Sequence, residues 1–363
     1  MAAYTGKKLN TATDYLMNII KGNKLMQGDQ LPTEKEMVQA SGVSRVTLRR
    51  ALANLQSEGM IYSVQGGGYY VGRVFQNSSM NFIPFVVSYD NHTSKILDVI
   101  QGAQDYLDSV HCRLSVTISG RDPNREREII HQYYQDGIRC LIVFPVSSED
   151  NIDFYFEMAR SGMNFIFIDR KPTSLSSCNF IQSDNMMGGY VATRHLVDQG
   201  HRRIAAFGLE PMQHTSTIGE RVNGYKRALQ ECKLDIPEKH YFYSPYRVSS
   251  PDLEALLDPN NGYTAVFCIS DAAAVDFAQH AYRMGIRIPQ DISIVGFDNL
   301  DITANFSPPI STIEQSFTSL GKTGAEIAYS YLTDNHIGFT NRILPVKLIV
   351  RDSSGIKLEP SEE

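Results

Sequence analysis

Residues 41–52 read SGVSRVTLRRAL, and they place Arg45, Arg49 and Arg50 within six positions of a chain whose formal net charge is -6. Leu48, Ala51, Leu52 and Leu55 follow the i, i+3, i+4, i+7 spacing of an amphipathic helix, with Ser44 placed to cap its start. Arg45 and Arg49 are four apart and fall on one face of that helix, clear of the apolar stripe. Pairs of this kind serve surface ion pairing as often as they serve a site, so the flanking sequence decides.

Upstream, LPTEKEMVQASGVS sets Thr33 three residues before Glu36, the spacing of a capping box, while Met37, Val38 and Ala40 supply an apolar side and Gly42 ends the helix. A short helix, a tight turn and a second helix make a helix-turn-helix. Its second helix carries the arginines near its N-terminus, where such a helix meets base edges in the major groove, and arginine suits guanine O6 and N7. Downstream, EGMIYSVQGGGYYVG holds two β-prone runs around Gln65, Gly66, Gly67 and Gly68, which predicts a hairpin with a bare tip. A tip without side chains can bring its backbone close to a phosphate or a minor groove; an ordinary flexible turn is the alternative. Residues 1–75 hold nine Lys or Arg against five Asp or Glu, a balance of +4 that leaves -10 for the rest of the chain. A basic head on an acidic body suits a polyanionic partner.

The stretch LPTEKEMVQASGVSRVTLRRALANLQSEGMIYSVQGGGYYV resembles the winged helix-turn-helix of the GntR family of bacterial transcription factors, over about the first seventy-five residues. That resemblance implies double-stranded operator DNA as a partner. It puts Glu34 and Lys35 where the first helix of the motif meets DNA, Ser44, Arg45, Thr47 and Arg49 on the recognition helix, and Gln65, Gly66 and Gly67 on the wing tip. Arg50 points elsewhere on the helix, to a phosphate or to solvent.

With 363 residues the chain exceeds what one core usually holds. No apolar stretch reaches the roughly 18 residues of a membrane span, and the polar start MAAYTGKKLN lacks the apolar region of a signal peptide, so a cytoplasmic location and no membrane partner are expected. The five cysteines are scattered without a CxxC pair, a reduced intracellular pattern with neither a disulfide framework nor a zinc site. His195 and His201 bracket a helix end, where solvated or capping roles outweigh metal binding. Gly321-Lys322-Thr323 ends like a phosphate-binding loop, but Ser316 stands in place of its first glycine. Gly66-Gly67-Gly68 is followed by Val71 where a dinucleotide fingerprint needs glycine. No cofactor and no enzymatic activity are expected.

After a polar linker, apolar runs at 82–89, 112–119, 139–146 and 164–170 alternate with helix-like stretches such as ILDVIQGAQDYLDSV. A second series follows at 202–209, 239–245, 263–270 and 291–298. Strand-helix-strand alternation predicts parallel sheets, and two such series predict an α/β body of two lobes. The domains expected are a winged helix-turn-helix at 1–73, a linker at 74–81 and a two-lobe effector-binding and dimerisation domain at 82–363. Ligands of open α/β sheets sit beyond the carboxyl ends of the strands. Those ends carry Tyr89 to Asn91, Pro145 to Ser148, Asp169, Arg170, Asp271, Asp298 and Asn299, with Asp184 after another short run and Arg221 on the helix after Gly208. Carboxylates and guanidinium groups hydrogen-bond pairs of sugar hydroxyls, and rings such as Tyr89 or Phe297 cover a sugar's apolar face. Singly, each has another explanation: Asp184 or Asp271 capping a helix, Arg221 pairing with a surface acid, Asp298 holding a loop.

The segments IFIDR, QSDNMMGGYVATRHLVDQGHRRIAAFG, ERVNGYKRAL, AVFCISDAAAVDFAQHAYRMGIRIPQDISIVGFDN and LPVKLIVRDSS resemble the LacI family effector domain, which shares the periplasmic sugar-binding fold, from about Phe82 to Gly355. This resemblance implies effector contacts from Asp169, Arg170, Asp184, Arg221, Asp271 and Asp298, variable ones from Tyr89, Asp90, Asn91 and 145–148, and Gln315 in a crossover near the cleft. The head departs from that family: a winged helix stands where its usual DNA-binding domain would, and no hinge helix is evident. Together the two resemblances imply a homodimeric, carbohydrate-responsive repressor released by a sugar such as L-arabinose. Its rivals are a transport binding protein, against which residues 1–75 speak, and a cytoplasmic sugar-modifying enzyme, which lacks a nucleotide loop, metal cluster or activated nucleophile.

Overall fold

The computed structural model describes residues 11–20, 25, 29–57, 60–64, 68–71, 82–88, 95–147, 149–172, 175, 178–211, 215–333 and 338–356. The chain forms two compact units, one mainly Met1–Met80 and the other mainly from Asn81 onward. Gln65, Gly66 and Gly67 of the expected wing tip, the expected linker, and Tyr89 and Asp90 lie outside the described residues.

The first unit begins with α1 (residues 11–20), whose Ala12, Leu16, Ile19 and Ile20 are buried at helical spacing. In α2 (Glu34–Ser41) the capping box of Thr33 and Glu36 is complete: the Thr33 hydroxyl accepts from the Glu36 amide and the Glu36 carboxylate accepts from the Thr33 amide. Gly42, at φ 68°, closes the helix in the left-handed region, and of this helix only Met37 is buried. The arginine-bearing helix α3 (Arg45–Ser57) starts on the Ser44 cap and buries Leu48, Ala51, Leu52 and Leu55 against α1 and the hairpin. That hairpin pairs β1 (Ile61–Val64) with β2 (Gly68–Val71), and residues 29–31 add a short antiparallel bridge to β2.

The second unit runs β3 (Phe82–Val87), α4 (Ile96–Ser109), β4 (Arg113–Ile118), α5 (Pro123–Gln135), β5 (Cys140–Phe144), α6 (Ile152–Arg160), β6 (Asn164–Ile168) and β7 (Asn179–Ser183). It continues with α7 (Asn185–Asp198), β8 (Ile204–Gly208), α8 (Ser216–Glu231), β9 (Tyr241–Tyr243), α9 (Pro251–Leu257), β10 (Ala265–Cys268), α10 (Asp271–Arg283), β11 (Ser293–Asp298), α11 (Asp301–Ala304) and β12 (Ser311–Glu314). It ends with α12 (Phe317–Leu332), β13 (Asn341–Leu344) and β14 (Lys347–Ile349). Two six-stranded sheets result, in the orders β4-β3-β5-β6-β7-β13 and β9-β8-β10-β11-β12-β14. The first is wholly parallel; in the second only the edge strand β14 runs antiparallel. The chain passes between the lobes at 183–185, 314–317 and 344–347.

Two helices that start directly after a crossover are packed closely against a neighbour through glycine. In the second lobe α7 meets α8, where a Cβ on Gly189 would lie 2.0 Å from the Arg221 carbonyl oxygen and one on Gly224 2.0 Å from that of Met186. In the first lobe α12 meets α4, where a Cβ on Gly321 would lie 1.8 Å from the Val99 oxygen and one on Gly102 1.9 Å from that of Thr318. Gly321 therefore serves helix packing. Because these obstacles are backbone atoms, Gly189→Ala or Gly321→Ala should destabilise the chain by about 1–3 kcal/mol or more. Gly219→Ala, on α8 with open space at its Cβ, should be neutral or slightly stabilising. Melting temperatures of the three variants test this contrast; equal effects would exclude helix contact as the cause.

Candidate functional site

Two sets of side chains stand out, one in each unit. In the first unit, α2 and α3 bring Glu34 against Arg45 and Arg49 of α3. Arg45 Nε donates to Glu34 Oε2 at 3.1 Å, and Arg49 Nε donates to Oε1 at 3.1 Å and Oε2 at 3.0 Å. The arginine side chains remain 69% and 59% exposed while that of Glu34 is 19% exposed. Burial acts to raise the Glu34 pKa, but hydrogen bonds and charge from Arg45 and Arg49 outweigh it and hold the carboxyl below its usual range. Ser44 and Thr47 hold each other at 2.8 Å, and the Thr47 amide donates to the Ser44 hydroxyl, so both hydroxyls belong to the helix cap. Lys35 is exposed on α2.

In the second unit a cavity of about 470 Å³ opens between the lobes beyond the carboxyl ends of the strands. Asp169, Arg170, Arg221 and Asp298 all line it, together with Gln315. Asp169 follows β6 and Asp298 ends β11, each the fourth strand of its sheet, so the two carboxylates occupy equivalent places in the two lobes. Both backbones are strained: Asp169 has φ 70° and Asp298 φ 121°, values a residue with a Cβ seldom adopts. Arg221 is held from three sides: its Nε donates to Asn185 Oδ1 at 2.8 Å, its Nη1 donates to the Ile269 carbonyl at 2.7 Å, and Nη1 lies 3.5 Å from Asp298 Oδ1. Gln315 Nε2 donates to the same Asp298 oxygen at 2.6 Å. From the other lobe, Arg170 Nη1 donates to the Val146 carbonyl at 3.1 Å, and its Nε lies 3.6 Å from Asp169 Oδ2. Among the described residues, buried Arg170 Nε and Gln315 Oε1 have no hydrogen-bond partner, an arrangement that costs free energy unless a ligand supplies one.

Three expectations need correction. Phe297 is no sugar platform: β11 turns its ring into the core, fully buried, with the Arg221 guanidinium over it at 3.8 Å. Rings lining the cavity are Phe144, Tyr246 and Phe317. Asp271 is sealed from the cavity, accepting from the Thr312 hydroxyl at 2.6 Å and the Leu300 amide at 2.7 Å, and so supports the strand-end loop that carries Asp298. Asp184 caps α7 by accepting from the Met187 amide at 2.9 Å and does not line the cavity. His195 and His201 likewise bond protein groups, Ser354 for the first and Thr264 with the Gly355 carbonyl for the second.

Other site residues carry no motif. Glu126 is almost fully buried behind the wall formed by Val146, accepting from the Val146 amide at 2.9 Å, from Asn151 and from the Tyr155 hydroxyl. Burial raises its pKa against these hydrogen bonds. Across the cleft, Arg121 pairs with Glu210 at 2.8 Å and Lys95 with Asp301 at 3.2 Å, each joining one lobe to the other. Only the spatial meeting of distant strand ends makes these groups recognisable.

Burial, reinforced by the charge of Asp298, pushes Asp271 up to about 7, and burial pushes Asp298 up to about 6 against the opposing Arg221 and Gln315. Acids that bind protons more tightly folded than unfolded make stability fall as pH rises from the ordinary carboxylate range through those values. The melting temperature should therefore drop over that window, and Asp298→Asn should flatten the drop. An unchanged slope in the variant would show that Asp298 is ionised throughout.

The family of bacterial regulatory proteins, gntR family, matches residues 9–71, and the periplasmic binding protein-like domain matches residues 193–354. The arabinose metabolism transcriptional repressor of Geobacillus stearothermophilus is 26% identical over 361 residues, covering 96% of this chain and 97% of that protein. The ribose operon repressor of Haemophilus influenzae is 29% identical over 261 residues, 70% of this chain and 76% of its own length. Among solved structures, a transcriptional regulator CelR-cellobiose complex superposes with a TM-score of 0.68 at 22% identity, covering 86% of this chain and 91% of that one. A LacI family regulator from Enterococcus faecium with bound ribose gives 0.61 at 23% identity, covering 76% and 100%. Both of these curated relatives are repressors, and no described helix is long and apolar enough to cross a membrane. The chain is thus similar to the gntR family of bacterial regulatory proteins over residues 9–71 and to the periplasmic binding protein-like domain over residues 193–354, and the two solved regulators share its α/β fold.

Proposed function

We propose that this protein is a one-component, carbohydrate-responsive transcriptional repressor of sugar-utilisation genes, acting in the cytoplasm as a homodimer. The observation that carries the proposal is the convergence, in one interlobe cavity, of Asp169 and Arg170 from one lobe with Arg221, Asp298 and Gln315 from the other or the crossover, in a chain with a helix-turn-helix head. Carboxylate, guanidinium and amide groups at short range suit a ligand with several neighbouring hydroxyls. The Geobacillus stearothermophilus relative, matched along nearly its whole length, supports L-arabinose as the sugar.

In this reading two heads bind the half-sites of a pseudo-palindromic duplex, with Arg45 and Arg49 reading bases and Lys35 and the wing positioned on the backbone. A sugar that contacts both lobes binds one lobe arrangement better than another and shifts the population toward it. Operator affinity changes to the extent that the two arrangements differ in it, and the coupling is reciprocal.

L-arabinose should raise the melting temperature of the purified chain, and it should weaken binding to a duplex selected by the protein from a randomised pool. Arg45→Ala and Arg49→Ala should each cost about 1–3 kcal/mol of binding to that duplex. Arg221→Ala should leave DNA binding intact and abolish the sugar response. Saturating sugar with no effect on DNA affinity would overturn the repressor reading, and a shift with another sugar in place of L-arabinose would rename the signal.

A further inference from the structure

Resting on the DNA-binding reading above, we propose that Glu34 is a positioning residue that aims Arg45 and Arg49 at base edges and lowers the head's affinity for DNA of the wrong sequence. One carboxylate engages both guanidinium groups, and in each case the donor is Nε, at 3.0–3.1 Å. Each arginine is thereby held at the stem side of its guanidinium plane, through Nε and not through its two terminal Nη groups. A terminal Nη pair matches guanine O6 and N7 end-on. The anchor is itself fixed: Glu34 opens α2 immediately after the Thr33 cap and is far less exposed than the arginines it holds. Long exposed arginines otherwise lose rotamer entropy on docking, and a shared carboxylate removes part of that loss beforehand.

The same carboxylate cancels one of the two positive charges presented at this point. On a matched duplex, guanine contacts compensate for the negative charge. On any other duplex the phosphates meet one net charge where two would attract them. Positioning and charge therefore act in opposite directions when Glu34 is removed, which separates this role from a direct contact.

The test is fluorescence anisotropy of the full chain against the selected duplex and a scrambled one, with melting curves to confirm folding. Glu34→Ala should weaken binding to the selected duplex about tenfold, the scale of one bidentate contact, while strengthening binding to the scrambled duplex. Glu34→Gln, which keeps acceptor oxygen but not charge, should lie between Glu34→Ala and the parent on the selected duplex. On an Arg45→Ala/Arg49→Ala background, Glu34→Ala should produce no further loss of selectivity. Equal strengthening on both duplexes would overturn the proposal in favour of simple repulsion. An undiminished loss on the double-arginine background would overturn it in favour of direct base reading by Glu34. A parent protein that selects no duplex at all would instead sink the DNA-binding reading itself.

Discussion

The second unit depends on close backbone contact between the crossover helices and their neighbours. Gly189 of α7 lies against the carbonyl of Arg221, and Asn185 at the start of the same helix accepts from the Arg221 guanidinium. The contact that seats the helix therefore also fixes the arginine that faces Asp298. In the other lobe α12 leaves the crossover just after Gln315 and locks onto α4 through Gly102 and Gly321. Helix packing, crossover geometry and site geometry are thus one constraint, and a glycine that does not itself line the cleft governs where a cleft side chain stands.

The cleft is electrostatically economical. Arg221 and Asp298 compensate each other, Arg170 leans on Asp169 and a carbonyl, and Asp271 holds hydrogen bonds from a hydroxyl and an amide. Burying so many ionisable groups without partners would be prohibitive. Among the cavity-lining side chains, Arg170 Nε and Gln315 Oε1, one donor and one acceptor, are buried without a hydrogen bond. The two strained aspartates at equivalent strand ends keep their carboxylates in place at a cost to the backbone.

Local chemistry was readable wherever a few adjacent residues determine the outcome. The Thr33–Glu36 capping box, the left-handed Gly42 and the Ser44 cap all form, and the eight apolar runs all become strands. The strands β12, β13 and β14 were not foreseen, because they are only three or four residues long and two of them are mostly exposed edges without a buried alternation. Site residues were readable as a set and less so one by one. Placing aspartates at strand ends is a matter of sequence, but whether a carboxylate faces the cavity, as Asp298 does, or turns behind it, as Asp271 does, depends on contacts with Thr312 and Leu300. Phe297 follows the same logic in reverse: its alternation along β11 sends it into the core. Glu126 and Tyr246 are invisible until distant segments meet.

The three crossovers also order events during synthesis. The core of the first lobe joins Ile83 and Phe85 to Phe317, Leu320, Ala325 and Ala328, and its sheet closes only with β13. The second lobe is encoded almost entirely between these parts, so a chain emerging from the ribosome has most of its second sheet available before the first can be completed. The first lobe must wait with an unfinished apolar face, and its loop closure spans nearly all of its neighbour. Neither lobe is a contiguous segment of the chain, so a cut at any one crossover removes strands from both sheets or leaves one of them incomplete.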